Sequence, residues 1–204
     1  MTNISYATLE VADTTAADLF YNTAFGLGDR VRLRASEPPT TGFRGFTLSL
    51  IVSQPANVDA FVDAALDAGA TSLKPAAKSL WGYGGVVQAP DGTIWTVASS
   101  SKKDTGPATR DIDSFVLQLG VADVATSKQF YVDHGFEVTK SYGKRYAELG
   151  PTSSPIKLAL NKHGALAKAA GVPADGTGSH RLTIGSDAGP FTDPDGFVWE
   201  AIAD

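Results

Sequence analysis

The chain has 204 residues, no cysteine, and 17 Lys+Arg against 22 Asp+Glu, which gives a formal net charge of −5. The absence of cysteine excludes disulfide scaffolds, thiolate zinc sites, iron–sulfur clusters and cysteine nucleophiles. The acidic balance argues against a nucleic-acid-binding surface, which needs clustered Lys and Arg.

The N-terminal segment, residues 1–10, has neither a basic n-region nor an apolar h-region, so we expect no signal peptide. No apolar run reaches the roughly 20 residues that a bilayer span requires. We therefore expect a cytoplasmic protein that has no nucleic-acid or membrane partner.

The first half begins with a predicted strand from Ile4 to Val11, and Asp13 is a good N-cap for a following helix that carries Phe20-Tyr21. After a predicted strand at 46–52, apolar residues recur at helical spacing from Val58 to Leu66. Two short strands, 86–88 and 93–98, are then joined by a Pro-Asp-Gly turn.

The second half starts in the same way, with a strand from Phe115 to Val121, the N-cap Asp123 and a helix that carries Phe130-Tyr131. The remaining predicted elements are strands at 137–140, 146–149 and 156–160, an Ala-rich helical piece within 161–172, and a strand at 180–184 before a second Pro-Asp-Gly hairpin.

Two sequence motifs therefore occur twice in the chain. Residues 11–13 and 20–21 reappear at 121–123 and 130–131, and the hairpin at 89–96 reappears at 193–200. A polar stretch with Gly-Pro in its middle separates the two copies. We predict two domains, 1–99 and 112–204, joined by a linker at 100–111.

The repeat, together with Trp-Gly-Tyr-Gly-Gly at 81–85 and Asp-Pro-Asp-Gly-Phe-Val-Trp-Glu at 193–200, resembles the glyoxalase/bleomycin-resistance/dioxygenase superfamily, also called vicinal oxygen chelate proteins. The resemblance implies an α+β fold of two tandem glyoxalase-like domains. Such domains are built from βαβββ modules with mixed, mainly antiparallel cupped sheets and flanking helices. Two modules are expected to be truncated: the first lacks one or two strands before Phe46, and the one that starts at His180 lacks the helix.

Enzymes of this superfamily hold a divalent metal with His, Glu or Gln from the first strands of paired modules and with a Glu after the closing hairpin. The resemblance places these positions on Tyr6, Val116, Thr96, Lys157, His180 and Glu200. Only His180 and Glu200 are usual metal ligands, and most catalytic sites use three. We expect no cofactor, with a divalent metal (Zn, Ni, Mn or Fe) on His180 and Glu200 as the alternative. A hydrogen-bonded couple at a cavity edge and metal-free general acid–base use also stay open for this pair.

Strand alternation places Tyr6 and Thr8 on one face, with Gln118 as a counterpart, and directs Trp95 and Trp199 to the opposite, buried face. In the superfamily a loop at this place often borders the ligand, which makes the aromatic residues at 81–85 stacking candidates; a turn that its glycines permit is the open alternative. The candidate ligand-binding residues are Tyr6, Thr8, Trp81, Tyr83, Gln118, Lys157, His180 and Glu200, and the sequence assigns no catalytic residue.

The leading hypothesis is a glyoxalase/bleomycin-resistance-like protein that binds a small organic molecule in a cavity of the cupped sheet without a catalytic metal. The resemblance also allows a homodimer. One alternative is a metal-dependent isomerase, lactoylglutathione-lyase-like lyase or dioxygenase that uses His180 and Glu200. Another is a scaffold whose cavities are filled by its own side chains.

Overall fold

Four modules follow one another along the chain in this computed structural model, which describes residues 2–202. Module 1 spans residues 4–42 and module 2 spans residues 46–99. Their elements are β1 (Ile4–Val11), α1 (Thr14–Ala24), a 3-10 turn (Gly28–Arg30), β2 (Val31–Ala35), β3 (Thr40–Gly42), β4 (Phe46–Ile51), α2 (Pro55–Asp67), β5 (Thr71–Ser79), β6 (Gly82–Gln88) and β7 (Ile94–Ser99).

Module 3 spans residues 114–162, and module 4 spans residues 182–201. A short helix and strand connect them. The elements are β8 (Ser114–Val121), α3 (Val124–Asp133), β9 (Val138–Ser141), β10 (Tyr146–Leu149), β11 (Lys157–Lys162), α4 (His163–Ala170), β12 (Gly176–Gly178), β13 (Leu182–Ser186), β14 (Phe191–Thr192) and β15 (Val198–Ala201).

The strands form two main sheets, and each sheet takes strands from both halves of the sequence. The large sheet, with the order β5-β6-β7-β4-β8-β11-β10-β9, joins module 2 to module 3 through the antiparallel pair β4–β8. The small sheet, with the order β14-β15-β13-β1-β2, joins module 4 to module 1 through the antiparallel pair β1–β13. Strands β3 and β12 pair outside both sheets. The halves 1–99 and 112–204 therefore mark the repeat in the sequence, while the sheets combine one module from each.

The expected module pattern is confirmed. Modules 2 and 3 are complete βαβββ units, whereas module 1 adds only β1 and β2 to its sheet and module 4 has no helix between β13 and β14. The structure adds β2, β3, β5 and β12 to the strands that the sequence predicts. Strand β5 contains Pro75 and two register shifts, which suit the edge of a sheet but give a poor strand signal.

One continuous apolar core unites helices α1, α2 and α3 with the inner faces of both sheets. Alternation along the strands determines which residues take part: Ala7, Leu9 and Val11 of β1 are buried there. Trp95 and Trp199 also lie in this core, as predicted, with 0% and 1% of their surfaces exposed. The remaining face of each sheet, which we call the open face, carries five of the eight candidate ligand residues: Tyr6, Thr8, Gln118, Lys157 and Glu200.

Among residues 2–202, no helix combines the length and the apolar character that crossing a bilayer would require.

Candidate functional site

The open face of the small sheet carries Tyr6 and Thr8, as strand alternation predicts. The Tyr6 ring lies against the backbone of Gly185 on β13, where an added Cβ would overlap the ring. The guanidinium carbon of Arg32 lies 3.5 Å from the centroid of the same ring. Tyr6 and Thr8 are each 4% exposed. The Tyr6 ring is therefore packed between the sheet and Arg32 and lacks a free face for a ligand.

Glu200 lies on the same sheet and is paired with Arg34. Its Oε2 is 3.1 Å from Nη2 of Arg34, and Nη1 of Arg34 is 3.3 Å from the Thr183 hydroxyl. Arg34 is not among the predicted site residues, although the alternation Val-Arg-Leu-Arg-Ala in β2 places two arginines on one face. A guanidinium thus neutralises the carboxylate that the resemblance assigns to a metal.

His180 lies apart from the strand in which the sequence places it. Strand β13 begins at Leu182, and Arg181 between them has a left-handed backbone conformation with φ of 52°. The prediction of a strand that starts at His180 is therefore wrong, because this residue interrupts the extended chain. The His180 ring stacks on Phe197 with 3.9 Å between centroids, and its Nδ1 and Nε2 lie 2.6 Å and 3.2 Å from the carbonyl oxygens of Arg44 and Asp195.

These contacts do not fit a divalent metal. Both nitrogens of His180 face backbone carbonyl oxygens, and Glu200 is held by Arg34. The part of the chain from 2 to 202 contains no cluster of three or more His, Asp or Glu side chains that could hold a metal ion. A catalytic metal usually needs three protein ligands, so this donor set is unsuited to one.

The large sheet brings the other superfamily positions into one row. Lys157, Val116, Ser49 and Thr96 are register partners across β11, β8, β4 and β7. This row offers one amine, one aliphatic side chain and two hydroxyls. Together these groups are not a set that binds a metal. Beside it, Nε2 of Gln118 donates to the Ser49 hydroxyl over 2.6 Å, and Nδ2 of Asn161 donates to Oε1 of Gln118 over 3.2 Å. Gln118 is thus part of a polar network on the open face.

Helix α4 covers part of the open face of the large sheet. Its buried residues, Leu166, Ala167 and Ala170, form a second apolar cluster with Phe43, Val86 and Ile94. Lys74 of β5 binds the C-terminal end of the helix: its Nζ lies 2.8 Å and 2.6 Å from the carbonyl oxygens of Lys168 and Ala169. Helix α4 therefore occupies part of the concave space over the open face of the large sheet.

A cavity of about 460 Å³ remains where α4 leaves the sheet, and we call it the open-face cavity. It lies between the start of β4, the β6–β7 hairpin and the segment after α4. Its walls are mainly apolar, with a few polar side chains: Gly42, Phe43, Arg44, Phe46, Gln88, Gly92, Thr93, Ile94, Val172, Pro173 and Asp175.

Arg44 is the cation in the wall of this cavity. Its Nη2 donates to the Asp91 carbonyl oxygen over 2.6 Å. Within residues 2–202 the Arg44 guanidinium makes no other hydrogen bond. Burial lowers the pKa of Arg44 from its ordinary value, with Asp91 opposing and Arg181 adding to the effect. An arginine nevertheless stays charged at neutral pH and has several N–H donors. It can therefore offer further donors to a bound acceptor or anion.

Trp81 and Tyr83 lie away from the open-face cavity. The Tyr83 hydroxyl donates to Oδ1 of Asp59 on α2 over 2.8 Å, so its ring lies on the helix side of the sheet, and this hydrogen bond raises its pKa. Trp81 stands at the turn between β5 and β6 with 84% of its surface exposed. The eight predicted ligand residues are thus distributed over the small sheet, the large sheet, the β5–β6 turn and the segment before β13.

No protein-family profile matches the sequence, and no curated protein matches it significantly. Solved structures do match. Glyoxalase I from Zea mays superposes with a TM-score of 0.65 at 16% identity, over 98% of this chain and 92% of that one. A putative dioxygenase from Bacillus subtilis subsp. subtilis str. 168 gives a TM-score of 0.62 at 9% identity, over 98% of this chain and 84% of that one. At these low sequence identities, the structural similarity confirms the predicted fold.

Proposed function

We propose that this chain, which has the fold of glyoxalase I, binds a small organic molecule in the open-face cavity without a catalytic metal. The observation that carries the proposal is a cavity of about 460 Å³ with apolar walls and one half-buried guanidinium, that of Arg44. Ligand sites in proteins combine this size range with mainly apolar walls and a few polar groups that orient the ligand.

The chemistry of the walls favours a ligand with an apolar, planar body and an anionic or hydrogen-bond-accepting group. Phe43, Ile94 and Val172 supply apolar surface, and Arg44 supplies the donors. Asp175 also lines the cavity, but this residue is exposed at the rim, where water screens its charge. An aromatic carboxylate is therefore the ligand class that suits the cavity best.

Binding of 3-phenylpropanoate is a direct test, and ligand-observed NMR together with backbone amide shifts would locate it. We expect shifts at Phe43, Arg44 and Ile94, and affinity about tenfold weaker in Arg44→Met, which loses a charge-assisted hydrogen bond. Arg145→Met is the matched control, because Arg145 is exposed and lies outside the cavity walls.

A second variant protects the test against a folding defect in Arg44→Met. Val172→Trp fills the cavity from its rim, where Val172 is only partly buried, and should abolish binding while the fold persists. Unchanged affinity in both variants, or shifts confined to other parts of the chain, would overturn the proposal.

The proposal includes a cytoplasmic location and an arrangement as a homodimer, which is common among binding proteins of the superfamily. Light scattering coupled to size-exclusion chromatography measures the second of these: a mass near twice 21.2 kDa supports the dimer, and a mass near 21.2 kDa contradicts it.

A further inference from the structure

A second cavity, of about 540 Å³, lies outside both open faces, between α1, the β6–β7 hairpin and the end of α2. We call it the α1 cavity. Its walls are mainly apolar, with two carboxylates: Val11, Ala12, Asp13, Ala16, Ala17, Leu19, Phe20, Tyr21, Thr23, Ala68, Pro90 and Asp91. It shares no residue with the walls of the open-face cavity, so it is a separate candidate site.

The internal repeat shows how the corresponding interface is closed in the second half. There the hairpin residue Asp195 reaches the start of α3: its Oδ1 accepts from the Ala122 N–H over 2.7 Å, and its Oδ2 accepts from the Ser127 hydroxyl over 2.8 Å. The neighbouring Asp193 accepts from the Tyr131 hydroxyl. Two carboxylates thus bind the second hairpin to its helix.

The first half lacks two of these groups. Ala17 stands where the second half has Ser127, and Ala89 stands where it has Asp193. Asp91, the counterpart of Asp195, instead accepts from the Tyr21 hydroxyl over 2.6 Å and from the Thr93 N–H over 2.7 Å. The carboxylate that would close the interface is therefore turned toward Tyr21, and the space between helix and hairpin stays open.

The charges in the walls indicate which ligand the α1 cavity takes. Among the described residues, 2–202, Asp13 and Asp91 are its charged lining residues, and no Lys, Arg or His lies in the walls. Within residues 2–202 the carboxylate of Asp13 accepts one hydrogen bond, from the Ala16 N–H over 3.0 Å, and a carboxylate can accept several. Arg44 contacts the backbone carbonyl of Asp91 and belongs to the walls of the other cavity. The walls of the α1 cavity thus combine acidic and apolar groups.

We propose that the α1 cavity is a binding site for a small organic cation, with an amine or ammonium group near Asp13 and Asp91 and an apolar body against Leu19, Phe20 and Pro90. The site goes beyond the proposed function, since it uses a different part of the fold and the opposite ligand charge.

The probe is 2-phenylethylammonium, compared with its neutral analogue 2-phenylethanol and with 3-phenylpropanoate on the full chain. We expect the ammonium compound to shift the backbone amides of Ala12, Ala16 and Asp91. We expect the neutral analogue to bind about tenfold more weakly, since it lacks the charge that the carboxylates attract. Equal affinity for both compounds would overturn the assignment to a cation.

The double variant Ala17→Ser/Ala89→Asp gives the first hairpin the groups that close the second one. The introduced carboxylate is placed to accept from Tyr21, which frees Asp91 to reach the Ala12 N–H and the introduced hydroxyl. We expect this variant to lose binding of 2-phenylethylammonium and to keep binding of 3-phenylpropanoate. The opposite pattern is expected for Arg44→Met, so failure of this site and failure of the open-face cavity are distinguishable.

Asp13→Asn tests the same site without rebuilding the hairpin. Asparagine is as good an N-cap as aspartate, so α1 keeps its cap while the cavity loses a charge. Affinity for the ammonium compound should fall several-fold, and unchanged affinity in both this variant and the double variant would overturn the proposal.

Discussion

Arg34 and Glu200 form an ion pair on the open face of the small sheet, with 45% and 31% of their side-chain surfaces exposed. Tyr6, on the same face, is packed between Arg32 and the backbone at Gly185. The two contacts contribute differently to the free energy of unfolding. Water screens the exposed ion pair, whereas the buried Tyr6 ring contributes through all of its apolar surface.

The first prediction contrasts these two residues. Arg34→Met should change the free energy of unfolding by less than about 1 kcal/mol. Tyr6→Ala should lower it by about 3 kcal/mol, because it leaves a cavity beside Gly185. Denaturant unfolding at neutral pH measures both values. A larger loss in Arg34→Met than in Tyr6→Ala would contradict this account of the small sheet.

The second prediction concerns Asp193, which accepts from the Tyr131 hydroxyl and from the N–H groups of Asp195 and Phe197. Burial raises the pKa of the Asp193 carboxyl, against the opposing effect of these hydrogen bonds. A raised pKa in the folded state means that the stability this group contributes is present at low pH. It is lost as pH rises from about 4 through the folded-state pKa.

Asp193→Asn cannot ionise, so its free energy of unfolding relative to the wild type should rise as pH increases over this interval. Denaturant unfolding at several pH values measures the difference, and Asp29→Asn controls for the removal of an exposed carboxylate. A constant difference between Asp193→Asn and the wild type at all pH values would contradict the prediction.

At the scale of elements, sequence patterns predict strands and helices that carry a regular apolar period, such as β1, β8 and α2. These patterns fail where contacts with neighbouring residues or elements, and not the apolar period, determine the local structure. Strand β5 is an edge strand that contains Pro75 and shifts register twice, so its residues show little alternation. The sequence predicts a strand at 180–184, but the left-handed Arg181 separates His180 from β13, which begins at Leu182.

Helix α4 illustrates the same limit, since its Ala-rich sequence predicts a helix but not the surface that it covers. Its position on the open face depends on contacts that are distant in sequence, with Phe43, Val86 and Ile94. The candidate site was predicted only in part for this reason. Tyr6, Thr8 and Gln118 lie on the open faces as expected, whereas Arg44 enters a cavity wall through the placement of α4 and its following segment.

The third prediction tests how α4 is held. Lys74→Met removes a cation from the carbonyl end of the helix, an interaction usually worth about 0.3 to 1 kcal/mol. Amide hydrogen exchange at 167–171 should become up to about fivefold faster, while exchange in α2 stays the same. Lys78→Met, an exposed change on the same strand, is the control. Unchanged protection in α4 would show that Lys74 does not stabilise the helix end.

At the scale of the whole molecule, the repeat and the sheets divide the chain differently. The repeat separates 1–99 from 112–204, but the large sheet joins modules 2 and 3 and the small sheet joins modules 4 and 1. Separating the halves would expose β4, β8, β1 and β13 as unpaired edges, and such edges favour pairing with another chain.

The fourth prediction follows from this arrangement. Fragments 1–105 and 106–204, produced separately, should lack a cooperative unfolding transition, and their equimolar mixture should regain it as a one-to-one complex. Circular dichroism melting and light scattering measure this. Cooperative unfolding of either fragment alone would show that a half folds without the other.

The most direct test of the central claim is calorimetric titration of 3-phenylpropanoate into chelator-treated protein, wild type and Arg44→Met, with and without added zinc or nickel. We expect binding to the wild type that is unaffected by chelator or metal and about tenfold weaker in Arg44→Met. Binding that requires added metal and disappears in Glu200→Ala, while Arg44→Met binds normally, would contradict a metal-free site in the open-face cavity.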